Sequence, residues 1–160
     1  MKVKVEEFDI SNEDMLWENF MIFARRFIPW EEQLKELTEE QKHPMYAFIY
    51  EAEVMGEGHI GFMELHGEYI DIEEVITALK KLDVAKEYIE NLLQFPKAYI
   101  SDDILFEGAV DESDFALQME KRDKIYEGYD EKFYDLGNEE IEDKIIQYVQ
   151  DHYTAFFKFS

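Results

Sequence analysis

The sequence contains no cysteine and no long run of apolar residues. Without cysteine the chain forms no disulfide, and it has no thiolate metal site and no cysteine nucleophile. The longest apolar run near the N-terminus, Phe20 to Ala24, is too short to span a bilayer or to act as a signal peptide. We therefore expect a cytoplasmic protein that makes no contact with a membrane.

Positive charge is also scarce. The chain has 16 Lys and Arg residues against 39 Asp and Glu residues, which gives a net charge of −23. A surface of this sign repels nucleic acid and anionic lipid, and it attracts cationic proteins and divalent metal ions. We expect a basic protein partner and no direct binding of nucleic acid. The alternative is an acidic surface that only keeps the protein soluble.

No arrangement of residues identifies a reaction or a cofactor. His59 and His66 each follow a carboxylate by two residues, whereas a helical metal site needs partners three or four residues apart. The run from Gly56 to Gly61 lacks the Lys and Ser or Thr of a phosphate loop. We therefore predict no catalytic residue, no metal and no cofactor. The alternative from another functional class is a metal-dependent enzyme that uses His59, His66 and nearby carboxylates.

Apolar residues recur at helical spacing along most of the chain, and 46% of all residues are hydrophobic. This pattern predicts an all-α fold, a single-domain bundle (residues 1–160) of about six or seven helices, with room for a minor β-strand pair. The predicted core residues lie on the apolar faces of these helices and are Leu16, Phe20, Phe23, Phe27, Phe48, Ile49, Ala52, Val75, Ile76, Leu79, Ile89, Leu92, Ile145 and Val149.

Two features are predicted near the N-terminus. A helix over about residues 12–28 should pack on the rest of the domain. Before it, apolar and polar residues alternate over residues 2–6, which is typical of a strand. A lone short strand is unstable. It should pair elsewhere, with residues 98–106 as one candidate, or form an extended arm.

Two further segments give boundary predictions. Thr38 and Gln41 have capping-box spacing, but Pro44 conflicts with a helix that runs straight on from there. The helix should therefore start near Pro44 or be kinked at it. Later in the chain we predict a helix over residues 113–126, with Phe115, Met119 and Tyr126 facing inward, and then a separate turn over residues 129–136.

The run Glu-Val-Met-Gly-Glu-Gly-His-Ile-Gly-Phe-Met-Glu-Leu-His-Gly, from Glu53 to Gly67, resembles the signature of a bacterial all-helical family. That family includes a double-stranded-DNA-mimic protein. The segment Ala78–Leu82 fits the family's following helices, and Glu131–Leu136 fits its Glu-x-Phe-Tyr-x-Leu motif. The resemblance covers about residues 45–157 and implies an all-helical fold.

The net charge is large enough for DNA mimicry. Duplex DNA carries one charge per about 1.7 Å, so the 23 net charges correspond to roughly 40 Å of duplex, close to the diameter of a domain of this length. Mimicry also requires the carboxylates to gather on one side. Residues 43–79 and 98–120 contain no Lys or Arg. They supply the predicted acidic binding surface of Glu57, Glu64, Glu68, Glu73, Glu74, Asp102, Asp103, Glu107, Asp111, Glu112 and Asp114.

These observations predict a non-enzymatic acidic binding protein. We expect it to act as a DNA mimic that occupies the basic surface of a nucleic-acid-binding protein. An immunity-type inhibitor of a cationic toxin would use the same electrostatics on a different target. A homodimer is compatible with the sequence.

Overall fold

The computed structural model describes residues 1–5, 9–27 and 31–159, with the backbone alone at Glu31 and Asp102. None of the described helices has the length and apolar composition needed to cross a membrane. The described elements, in chain order, are β1 Val3–Val5, α1 Glu13–Ala24, a 3-10 helix Glu31–Glu36, α2 Glu39–His66, α3 Ile72–Lys81, α4 Lys86–Ala98, α5 Asp102–Leu105, α6 Glu112–Leu136, α7 Glu139–Asp151, α8 Tyr153–Phe156 and β2 Phe157–Phe159. The predicted all-α fold with a minor strand pair is confirmed.

The longest described helix, α2, contacts α3, α6, α7 and α8. Its predicted capping box is present: the Thr38 hydroxyl accepts from the Gln41 N–H, and the Gln41 side chain accepts from the Thr38 N–H. Pro44 lies inside the helix with helical backbone angles, so the predicted start or kink at this proline is wrong. Helical geometry is broken instead at Gly58, which divides α2 into a longer N-terminal and a shorter C-terminal segment.

The two strands pair in parallel, with Val3 opposite Phe157 and Val5 opposite Phe159. Residues 98–106, the candidate partner from the sequence, instead hold the end of α4 and the short helix α5. The Gln41 side-chain amide donates to the carbonyl of Met1 at 2.9 Å and to that of Ala155 at 2.8 Å. Gln41, which completes the capping box of α2, therefore also holds the residues just before β1 and β2 against that helix.

Most of the predicted core residues are buried, including those on α1, which packs against α7 and β1. Phe48 and Ile89 are half-buried and pack against the core. Ala52 is exposed, and its predicted burial is wrong because this side of α2 faces solvent. The first helix was predicted to run to about residue 28, but α1 ends at Ala24.

Helix α6 runs unbroken from Glu112 to Leu136, a length of about 37 Å at 1.5 Å per residue. The predicted separation of residues 113–126 from a turn at 129–136 is therefore wrong. Its buried residues are Tyr126 and Phe133. Phe115 and Met119 were predicted to face inward, but they are 41% and 44% exposed because the first half of α6 has no buried position.

Candidate functional site

A groove of about 900 Å³ lies between the second half of α2 and the exposed side of α6. Lys124 is the one cation among its described lining residues, and its ammonium lies 3.0 Å from Glu120. Six carboxylates line this groove, which we call the acidic groove: Glu57, Glu120, Asp123, Glu127, Asp130 and Glu131. Its apolar lining residues are Ile60, Ala116, Met119, Tyr126 and Tyr134.

Helix α6 supplies five of the six carboxylates of this groove. Glu120, Asp123, Glu127 and Glu131 recur every three or four residues and share one face of the helix, and Asp130 lies directly before Glu131. From Glu120 to Glu131 the helix rises about 16 Å, so its five carboxylates average one per roughly 4 Å along the axis, with single steps of about 1.5 to 6 Å. One strand of duplex DNA has its phosphates about 3.4 Å apart along the axis. The average density of carboxylates along the groove is therefore close to the density of phosphates along one DNA strand.

A hydrogen-bonded link holds the two walls of the groove together. Asp130 Oδ1, on α6, accepts from the backbone N–H of His59 at 2.9 Å and from its Nδ1 at 2.6 Å. The other ring nitrogen of His59, Nε2, lies 2.8 Å from the Tyr50 hydroxyl. Burial raises the pKa of Tyr50, so the phenol keeps its proton and is available to donate to Nε2. His59 is thus fixed at both ring nitrogens and anchors α6 to α2.

Gly58 gives Asp130 access to His59. Its backbone angles, φ 73° and ψ −179°, belong to a region that essentially only glycine adopts. A Cβ at this position would lie 2.5 Å from Asp130 Oδ2, far inside van der Waals contact. The glycine before His59 therefore has two roles, since it permits the break in α2 and leaves room for the Asp130 carboxylate.

Of the predicted acidic residues, Glu57 lines the acidic groove and is exposed. Glu64, one to two turns further along α2, is also exposed, and its Oε1 lies 3.6 Å from Arg122 Nη1. This carboxylate is therefore paired with a cation on α6. Glu68 is exposed just after the end of α2.

Glu73 and Glu74 lie elsewhere, at the start of α3. With Glu39 and Lys42 they line a second, smaller groove of about 230 Å³. The Glu74 carboxylate also accepts from the Asp71 N–H in a capping box. Glu73 and Glu74 therefore belong to a separate patch, in which Lys42 lies among the carboxylates.

The remaining predicted residues surround the start of α6. Asp111 caps that helix by accepting from the Asp114 N–H at 3.0 Å, and Asp114 in turn accepts from the Val110 N–H at 3.2 Å. Glu112, together with Asp103 and Glu107 on or just after α5, is exposed. The side chain of Asp102 lies outside the described residues.

A family model described as DMP19-like protein matches residues 35–152, well over half of the chain. The chain belongs to the DMP19-like family. This membership confirms the resemblance carried by Glu53–Gly67, and the matched range contains both walls of the acidic groove. No curated protein and no solved structure matches the chain.

In this DMP19-like chain the two histidines of that run have different partners. His66 Nε2 lies 3.3 Å from Glu53 Oε2, whereas His59 bonds to Asp130 and Tyr50. Seven residues separate the two histidines, which is about 10 Å along a helix. Within the described part of the chain, no group of three or more His, Asp or Glu side chains is arranged to hold a metal ion. The structure does not bring His59 and His66 into one cluster.

Among the residues that the structure describes, one carboxylate is buried. Glu51, on α2, is 1% exposed, and its Oε2 accepts from Asn138 Nδ2 at 3.1 Å. The same amide donates to Glu142 at 3.1 Å, so the two carboxyl groups lie side by side. Burial, with a smaller effect of Glu142, raises the pKa of Glu51 to about 8. Glu51 is therefore mostly protonated at neutral pH and adds little to the surface charge.

Sequence reasoning missed the α6 carboxylates that line the groove of this family member. The signal was present, since Glu120, Asp123, Glu127 and Glu131 recur at helical spacing. It was hidden because the helix was predicted to end at Tyr126. Reading α6 as one helix through Gly128 would have placed these carboxylates on one face.

Proposed function

We propose that this chain is a non-enzymatic acidic binding protein that occupies the basic surface of a nucleic-acid-binding protein by imitating DNA. One observation carries the proposal: the α6 carboxylates of the acidic groove average one per roughly 4 Å along the helix axis, near the density of phosphates along a DNA strand. Membership of the DMP19-like family supports it.

The availability of the carboxylates also supports the proposal. Between described residues, ion pairs with Lys or Arg engage the carboxylates of Glu39, Glu64, Glu120 and Asp123. Glu57, Glu127 and Glu131 are exposed and stay open to a partner's cations. A field summed over such groups speeds the approach of a basic protein and weakens steeply with salt.

The proposal is tested by capture from native cell extract at low and at high salt, followed by elution with duplex DNA. Wild-type protein should capture basic proteins at low salt and release them when DNA is added, because both ligands compete for one surface. The double variant Glu127→Lys/Glu131→Lys should lose this capture. The matched control Asp14→Lys/Glu18→Lys makes the same charge change at exposed positions of α1 and should keep it.

Two results would contradict the proposal. Equal loss in the groove variant and the α1 control would show that only net charge matters. Captured proteins that DNA does not displace would favour the inhibitor of a cationic toxin over the DNA mimic.

A further inference from the structure

The acidic groove contains apolar surface that imitation of phosphates alone does not need. Met119 and Tyr134 line it and are 44% and 45% exposed. Ile60, from the opposite wall, and Ala116 add to this surface. The Tyr134 hydroxyl donates to the Val54 carbonyl at 3.1 Å, which holds the ring in place beside the carboxylates. A ligand in this groove therefore meets both charge and fixed apolar side chains.

The apolar surface continues beyond the groove, towards the start of α6. Phe115 lies one turn before Met119 on the same face, and its ring packs on Phe106 with centroids 5.2 Å apart. Phe115 is 41% exposed and Val110 is 86% exposed. Residues 98–120 contain no Lys or Arg and seven carboxylates. Contiguous apolar surface bordered by polar groups is typical of a protein-binding site.

We propose that the acidic groove binds a basic amphipathic helix of the partner protein. Apolar side chains of that helix contact Ile60, Met119 and Tyr134, while its Lys and Arg side chains pair with the groove carboxylates. This inference rests on the proposed function and adds the kind of element that is recognised. From Ala116 to Tyr134 the groove follows α6 for about 27 Å, the length of a helix of about 18 residues.

The negative charge of the acidic groove determines which kind of helix it can bind. A second copy of this chain would bring another surface without Lys or Arg, on a molecule of net charge −23, against the same carboxylates. That contact is repulsive. A helix with Lys and Arg beside its apolar face satisfies both parts of the groove, in the way that amphipathic target helices fill apolar grooves elsewhere.

The test uses two synthetic helical peptides of about 18 residues with identical numbers of Lys and Arg. One carries Leu at helical spacing along one face, and the other carries Gln at those positions. Binding is measured by fluorescence anisotropy at two salt concentrations. We expect the amphipathic peptide to bind roughly tenfold more tightly or better, because only it buries apolar surface in the groove.

Variants assign this difference to the groove. Met119→Gln should remove most of the preference for the amphipathic peptide and leave the binding of the hydrophilic peptide unchanged. Ile22→Gln, at an exposed position of α1, is the matched control and should keep the preference. Glu127→Lys should weaken the binding of both peptides. Both replaced apolar side chains are exposed, so circular dichroism should show an unchanged fold.

The results separate this inference from the proposed function. Equal affinity for both peptides, lost in Glu127→Lys, would overturn the amphipathic helix and leave the acidic binding surface standing. A preference that survives Met119→Gln would also overturn the inference. If neither peptide binds, the inference is overturned, and the proposed function is decided separately by the capture experiment. Sedimentation that shows a dimer broken by Met119→Gln would assign the apolar surface to a second copy instead.

Discussion

Replacing Gly58 by Ala tests the link between the two walls of the acidic groove. The substitution adds a Cβ where the structure leaves 2.5 Å to Asp130 Oδ2, and it does so at a φ of 73°. Asp130 would have to move away from His59, whose N–H and ring nitrogen it now accepts from. Both effects should destabilise the folded state.

The magnitude follows from the two effects. Holding a non-glycine residue in this backbone region costs about 1–3 kcal/mol. Weakening a hydrogen bond to a charged acceptor costs about 1.5–3 kcal/mol, and two such bonds are at risk. We expect Gly58→Ala to lower the free energy of unfolding by about 4 kcal/mol, a large part of the 5–15 kcal/mol typical of a domain.

The assay is urea denaturation followed by circular dichroism. Gly56→Ala is the matched control, because Gly56 has helical angles and nothing within 4 Å of an added Cβ. It should stabilise the protein by about 0.5–1 kcal/mol. In an Asp130→Ala background, Gly58→Ala should cost only the backbone strain of about 1–3 kcal/mol. A loss below about 1 kcal/mol in wild type, or an equal loss in both backgrounds, would refute the reasoning.

Three further predictions concern stability. Burial raises the folded-state pKa of Glu51 to about 8 from an ordinary value of 4.5. The contribution of this group to the free energy of unfolding is therefore complete below pH 4.5 and is lost as the pH rises to 8. Urea unfolding of Glu51→Gln should therefore vary less with pH over this range than that of wild type, by up to about 1.4 kcal/mol per pH unit, and parallel curves would contradict the assignment. Leu79→Ala, at a fully buried position, should cost about 2–5 kcal/mol, and Phe48→Ala should cost less than a fully buried Phe because Phe48 is half-buried; an unchanged denaturation midpoint for Leu79→Ala would show that the helix faces are misassigned. Melting temperature should rise from low to moderate NaCl because salt screens repulsion among the 39 carboxylates, and a flat response would mean that they are already paired or far apart.

Local signals in the sequence predicted local structure well. The capping boxes at Thr38 and Asp71 form as their spacing indicates, since both partners lie within one turn. Apolar stripes on short helices, such as that of α3 with Leu79, were also sufficient. Prediction was wrong where burial depends on neighbouring elements: Phe115 and Met119 have the spacing of a core stripe, yet they stay 41% and 44% exposed.

In the candidate site, too, local features were predicted and long-range contacts were not. The sequence predicted an acidic surface that includes Glu57, but it gave no indication that Glu57 lies beside α6. That contact depends on Asp130 reaching His59 across 71 positions of the chain. No local pattern encodes such a pairing, because the positive φ of Gly58 and the uninterrupted course of α6 through Gly128 are both needed to make it.

The parallel strand pair has a consequence for the order of folding. Val3 and Phe157 are 154 positions apart, so closing that loop from an open chain costs roughly 4 kcal/mol of entropy. Two strands of three residues cannot offset this cost alone. The strands should therefore join only after the helices have brought their ends near Gln41. Slow hydrogen exchange of the amides bonded between the two strands would then report that the whole chain has assembled, rather than that one segment has formed.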